Sequence, residues 1–132
     1  MTTIDTLAVD SVLHGDARDP RPAGRKEWVD VCAYDALLPE RGAAALVEGV
    51  QLALIRTFDG DVYAISNRDP FSGAYVLSRG IVGSRGDAPT VASPMHKEVF
   101  DLRTGVCLDD PEATVEVYEA RVRGGRVEVV VT

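Results

Sequence analysis

The chain has 132 residues, of which 45% are apolar, and a formal charge of −7 with a pI near 4.7. This length fits one domain with a real core, and the composition excludes a disordered chain. The acidic balance excludes general binding to a nucleic-acid backbone, which needs a basic surface. No apolar run approaches the length needed to cross a bilayer.

The first 25 residues are poor in large apolar groups and carry Asp19-Pro20-Arg21-Pro22 and Gly24. They read as a loosely held arm with a short helix over residues 4–13, and the folded domain as residues 26–132. The arm has no early Lys or Arg and no unbroken apolar stretch, so it does not resemble a secretory signal. The expected compartment is the cytoplasm. Cys32 and Cys107 form no C-x-x-C pair and are expected as reduced, buried thiols.

From Glu27 the signals are mostly those of strands. Residues 27–32 alternate well enough for a half-buried strand, with Trp28 as its anchor. Residues 34–39 predict one helical turn, with Asp35 as N-cap and Pro39 as stop. Residues 44–48 and 50–58 predict two strands flanking Gly49. Asp59-Gly60 predicts a two-residue hairpin into Val62-Tyr63-Ala64-Ile65. Residues 115–123 and 126–131 are Val-rich and joined by Gly124-Gly125, the clearest hairpin of the chain. The apolar phase changes between Val117 and Tyr118, which predicts a bulge there.

Residues 67–111 differ from the rest. Pro70, Gly73, Gly80, Gly83, Gly86, Pro89, Pro94 and Gly105 punctuate them, which predicts two long structured loops with brief strands. Such loops on a β scaffold are where function concentrates. Many short strands between Gly and Pro turns predict an all-β barrel or sandwich.

Two phrases in this middle region carry a family resemblance. The first is Ala64-Ile65-Ser66-Asn67-Arg68-Asp69-Pro70-Phe71, followed by Gly73 and Leu77. The second is Ser93-Pro94-Met95-His96, running into Phe100-Asp101-Leu102-Arg103-Thr104-Gly105. Together they resemble the paired C-P-H and C-P-x-H phrases of Rieske domains, where each phrase gives one Cys and one His to a [2Fe–2S] cluster. The resemblance covers nearly the whole chain beyond its arm. It implies an all-β Rieske-like fold of stacked antiparallel sheets or a partly open barrel, with two long loops at the cluster-binding tip.

Carried over position by position, the resemblance places the two Cys ligands on Asp69 and Ser93, and the two His ligands on Phe71 and His96. Only His96 retains the family's ligand. Phe71 cannot coordinate iron, and Asp and Ser are hard oxygen donors in place of soft thiolates. The surrounding frame of Pro70, Gly73, Pro94, Phe100, Asp101, Leu102, Thr104 and Gly105 stands where the pattern expects it. Asp69-Pro70-Phe71-Ser72-Gly73-Ala74 and the run from Val76-Leu77-Ser78-Arg79-Gly80 to Gly83 resemble, in detail, the small-subunit family of NAD(P)H-dependent assimilatory nitrite reductase.

That resemblance implies an accessory subunit with no catalytic, cofactor-binding or metal-binding residues of its own. FAD, an iron–sulfur cluster and sirohaem are then expected in the large-subunit partner, which would reduce nitrite to ammonium. A second reading stays open: a cofactor-free Rieske-like interaction domain for another redox enzyme. Over residues 67–100 basic residues outnumber acidic ones by one, leaving −8 for the rest of the chain. Arg68, Arg79, Arg85 and Lys97 are therefore the candidate partner-docking residues, a positive tip on an acidic body.

Individual residues have plainer roles. A lone His such as His96 is more often structural or exposed than a ligand. Asp69 is expected to bond the loop backbone, and Phe71 to fill the volume of the absent cluster and imidazole. Gly73, Gly80 and Gly105 are expected to hold unusual backbone angles.

Overall fold

Residues 52–55, Leu-Ala-Leu-Ile, are buried without interruption, which a strand permits only when it has a core on each face. The computed structural model describes residues 26–131, so the expected arm and its helix lie outside the described residues. The described chain is all-β: β1 (Val29–Ala33), β2 (Arg41–Val47), β3 (Val50–Arg56), β4 (Val62–Ser66), β5 (Ile81–Arg85), β6 (Ala88–Ala92), β7 (Val99–Asp101), β8 (Val117–Arg123) and β9 (Arg126–Val130). Six strands form an antiparallel sheet in the order β1-β9-β8-β4-β3-β2. Its two edge strands approach each other, so the sheet curls toward a barrel. The other three form an antiparallel meander, β5-β6-β7.

β3 and β4 form the wall between two cores. Leu52, Leu54 and Ala64 point into a cluster with Val31, Leu37, Val47, Val127 and Val129. Ala53, Ile55 and Ile65 point the other way, against Leu77, Val91, Phe100, Leu102 and Val115. The second core thus binds the meander to the barrel wall.

The same two-core arrangement explains the phase change near Val117. No register shift is present there; β8 pairs with β4 through Val117 and Tyr118 and then with β9 from Glu119 onward. Val117 packs on the second core, whereas Tyr118 and Ala120 pack on the first. The demand for apolar residues moves from one face to the other while the strand stays regular. A bulge does occur in β1, between Asp30 and Cys32, where it lets the adjacent Val31 and Cys32 both face inward.

Three local expectations are corrected. Residues Tyr34–Ala36 form a 3₁₀ turn capped by Ala33 with no side-chain bond, and Asp35 sits inside the turn. The turn is held instead by Arg56, whose Nη1 donates to the Leu37 carbonyl at 2.8 Å while its guanidinium lies 4.2 Å over the Tyr34 ring. The Asp59-Gly60 hairpin is longer than two residues, because the Thr57 N–H pairs with the Asp61 carbonyl across three intervening residues. Gly80 has an ordinary extended backbone, φ −75°; it is needed because a side-chain carbon there would overlap the Ala92 carbonyl oxygen. Gly124-Gly125 turns as expected, with φ of 59° and 77°. Trp28 precedes β1 and anchors it through Arg121, whose guanidinium lies 3.9 Å over the indole.

Both cores bear load. Leu54→Ala and Ile55→Ala, neighbours that face opposite cores, should each cost about 3 kcal/mol, read as matched shifts of the urea midpoint. A loss confined to Leu54→Ala would show that the meander is not packed on the wall.

Candidate functional site: the loop tip

The loop after β4 and the loop between β6 and β7 meet at one end of the molecule. Asn67, buried at the base of the first, staples it. Its Oδ1 accepts the Ser78 N–H at 2.7 Å, its carbonyl accepts the Leu77 N–H at 3.0 Å, and its Nδ2 donates to the Tyr75 carbonyl at 3.3 Å.

Each loop folds as the same turn. The Asp69 N–H donates to the Ala74 carbonyl at 2.8 Å, and the Asp69 carbonyl accepts the Gly73 N–H at 2.7 Å. Asp69 Oδ1 accepts the Phe71 N–H at 2.8 Å. Ser93 repeats the pattern with Glu98 and Lys97, at 2.8 and 2.9 Å, while its Oγ accepts the Met95 N–H at 3.1 Å. Asp101 repeats it a third time with Val106 and Gly105, at 3.0 and 2.7 Å, and its Oδ1 accepts the Arg103 N–H at 2.8 Å. The fifth residue of each turn has positive φ: Gly73 at 78°, Lys97 at 67° and Gly105 at 80°. Such a turn needs one side-chain acceptor at its first position, and Asp or Ser supplies it.

The two tip turns are joined directly. Ser93 Oγ donates to Asp69 Oδ2 at 2.6 Å, and both residues are buried, Asp69 fully. Burial alone would raise the Asp69 carboxyl. Bonds from the Ser93 hydroxyl, the Phe71 N–H and the Ser72 backbone and hydroxyl outweigh it and hold the group below its usual value. Asp101 is also held low, chiefly by its bond from the Arg103 side chain.

Phe71 is not the filler expected of it. It is 41% exposed and touches only the edge of the second core, its ring 6.4 Å from that of Phe100. The Asp69–Ser93 bond, rather than the Phe71 ring, joins the two loops. Replacing Phe71 with Ala should therefore cost only about 1 kcal/mol. Tyr75 and Met95 are exposed alongside it on the two loops.

His96 is exposed on the second loop. One ligand atom each from His96, Asp69 and Glu98 lie within 4.8 Å of one another. Glu98 went unnoticed in the sequence; its only signal was its place two residues after His96. Among the docking candidates, Arg68 and Lys97 are exposed on the joined loops. Arg79 stands apart, in the 3₁₀ turn Leu77–Arg79 that lies against β2. Arg85, at the end of β5, is paired with Asp109 at 3.2 Å.

A [2Fe–2S] cluster does not fit these residues. The tip offers one imidazole and hard oxygen donors, and no thiolate. Both cysteines are buried and free among the described residues. Cys32 lies in the first core, where burial above all pushes its thiol up to about 11, and Cys107 lies in the second.

Two antiparallel sheets with paired loops at one end define the Rieske-like class, and residues 27–130 match the family model for the Rieske-like [2Fe-2S] domain. Within that class, the chain belongs to the nitrite reductase small-subunit family. It is 43% identical over 104 residues to the nitrite reductase (NADH) small subunit of Escherichia coli K12, covering 78% of this chain and 96% of that one. A Mycobacterium tuberculosis crystal structure, described as a candidate NADH-dependent nitrite reductase small subunit, superposes with a TM-score of 0.79 at 51% identity, covering 82% of this chain and 97% of that chain. The chain is also 38% identical, over 79% of its length, to a stretch making up 11% of the nitrite reductase [NAD(P)H] large subunit of Klebsiella oxytoca.

Asp69→Ala should cost about 3 kcal/mol and Ser93→Ala about 2, since each leaves a buried polar partner unsatisfied. Their double-mutant cycle should give a coupling of about 1–2 kcal/mol, and strict additivity would show that the loops are not joined through this bond. Because the folded values of Asp69 and Asp101 are depressed, their stabilisation is complete above the unfolded value near ~3.9. It is lost as pH falls through the folded values. The melting temperature should fall below about pH 4, less steeply in Asp69→Asn.

Proposed function

We propose that this chain is the cofactor-free accessory small subunit of an NAD(P)H-dependent nitrite reductase, working in the cytoplasm. The observation that carries the reading is the Klebsiella match. There, a stretch equivalent to this domain forms part of a large-subunit polypeptide, as expected of a domain whose partner is the large subunit. Nitrite reduction to ammonium, with its flavin, iron–sulfur and sirohaem centres, belongs to that partner. In this chain Asp69 and Ser93 occupy former thiolate positions, Phe71 and His96 former imidazole positions, and no electron path runs through them.

The docking surface is the loop tip. Phe71, Tyr75 and Met95 present apolar area of the kind that anchors interfaces. Arg68 and Lys97, which form no ion pair among the described residues, give it a positive rim. Arg85 is already neutralised by Asp109 and contributes little.

A tagged pull-down from cells grown on nitrite, assayed for nitrite-dependent NAD(P)H oxidation, tests the assignment. Recovery of a large sirohaem flavoprotein with that activity is expected. A clean eluate, with the reductase demonstrably expressed, would transfer the chain to the partner of some other redox enzyme. With the complex in hand, Arg68→Glu/Lys97→Glu should slow association about tenfold in a salt-dependent way, and Arg85→Glu should not. Equal effects would displace the interface from the tip.

A further inference from the structure

The loop tip carries a donor set that its hydrogen bonds do not exhaust. Asp69, His96 and Glu98 bring two carboxylates and an imidazole together, with one ligand atom of each within 4.8 Å of the others. Glu98 Oε1 is shut off from solvent and has no hydrogen-bond donor. A buried carboxylate oxygen without a donor or a cation carries an uncompensated desolvation cost.

Three donors of the tip are committed elsewhere. The Ser93 hydroxyl is given to Asp69 Oδ2, and the Phe71 N–H to Asp69 Oδ1. The Lys97 N–H goes to the Ser93 carbonyl. The Lys97 side chain lies exposed and makes no ion pair among the described residues.

We propose that Asp69, His96 and Glu98 form a binding site for one divalent first-row transition cation, with Zn²⁺ as the reference ion. Imidazole with carboxylate oxygen is a donor set that such ions accept, and that Mg²⁺ and Ca²⁺, which prefer oxygen alone, do not favour. Tetrahedral bonds of about 2.0–2.1 Å need donor atoms roughly 3.3 Å apart. Asp69 is fixed by its turn, so the side chains of His96 and Glu98 would have to close the remaining distance. Ser93 is a positioning residue, since its hydroxyl orients the Asp69 carboxylate. The ion ties the first loop to the second, and its fourth position faces solvent at the tip. The site shares the tip with the proposed docking surface but uses residues of this chain alone, so it is testable without the partner.

The test is calorimetric titration of ZnCl₂ into the full chain, stripped with chelator and desalted. Wild type is compared with His96→Ala, Glu98→Gln and, as a control for the N-terminal histidine, His14→Ala. The expected result is one equivalent bound by wild type and His14→Ala. His96→Ala and Glu98→Gln should each weaken it by at least about tenfold, the loss that even an outer-shell partner produces. Zn²⁺ should raise the melting temperature of wild type and not that of His96→Ala, whose exposed position makes misfolding no explanation. Mg²⁺ should give no heat. Absence of Zn²⁺ binding, binding unchanged in both variants, or equal binding of Mg²⁺ would each overturn the proposal.

Discussion

A buried hydroxyl bonded to a buried carboxylate at 2.6 Å is the contact on which the loop tip depends. Ser93 and Asp69 belong to different loops that hang from different sheets, and no other side-chain hydrogen bond between these loops is present among the described residues. The bond is charge-assisted and short, and it stays out of water, so it is not discounted as a surface pair would be. With it the two loops form one surface; without it each would retain its own turn and lose its neighbour.

The backbone explains how a metal-binding frame can persist after its ligands change. Three turns, beginning at Asp69, Ser93 and Asp101, share one hydrogen-bond pattern. None needs sulfur: each needs an acceptor on its first side chain and a fifth residue that tolerates positive φ. Asp101, outside the resemblance's ligand positions, shows that a carboxylate suffices. Substituting Asp and Ser for thiolates therefore preserves the local fold while removing the soft donors. In this chain the turns are maintained by oxygen acceptors.

Much of this was legible in the sequence. The Gly124-Gly125 hairpin and the strands flanking it and Gly49 followed from turn chemistry and β-branched runs, and the Asp69-to-Ala74 phrase pointed to the family. What was missed depends on contacts between residues distant in the sequence. The phase change at Val117 looked like a bulge because one-face alternation was assumed, whereas β8 serves a core on each side in turn. Gly80 looked like a turn glycine, but the constraint comes from Ala92 on the neighbouring strand. Phe71 was expected to join the loops by filling a void, whereas the Asp69–Ser93 bond joins them, and no local pattern reveals a contact between residues 24 positions apart. Glu98 was silent because its carboxylate gains meaning only once the first loop brings Asp69 to it.

The central claim is that a Rieske-like tip is held closed by oxygen acceptors and carries no iron–sulfur cluster within a working reductase. Its most direct measurement is the iron and acid-labile sulfide content of this chain, separated anaerobically from the large subunit of an active complex. The account predicts neither element in the separated small subunit, with all visible absorbance left on the large one. About two irons and two sulfides per small subunit would contradict it.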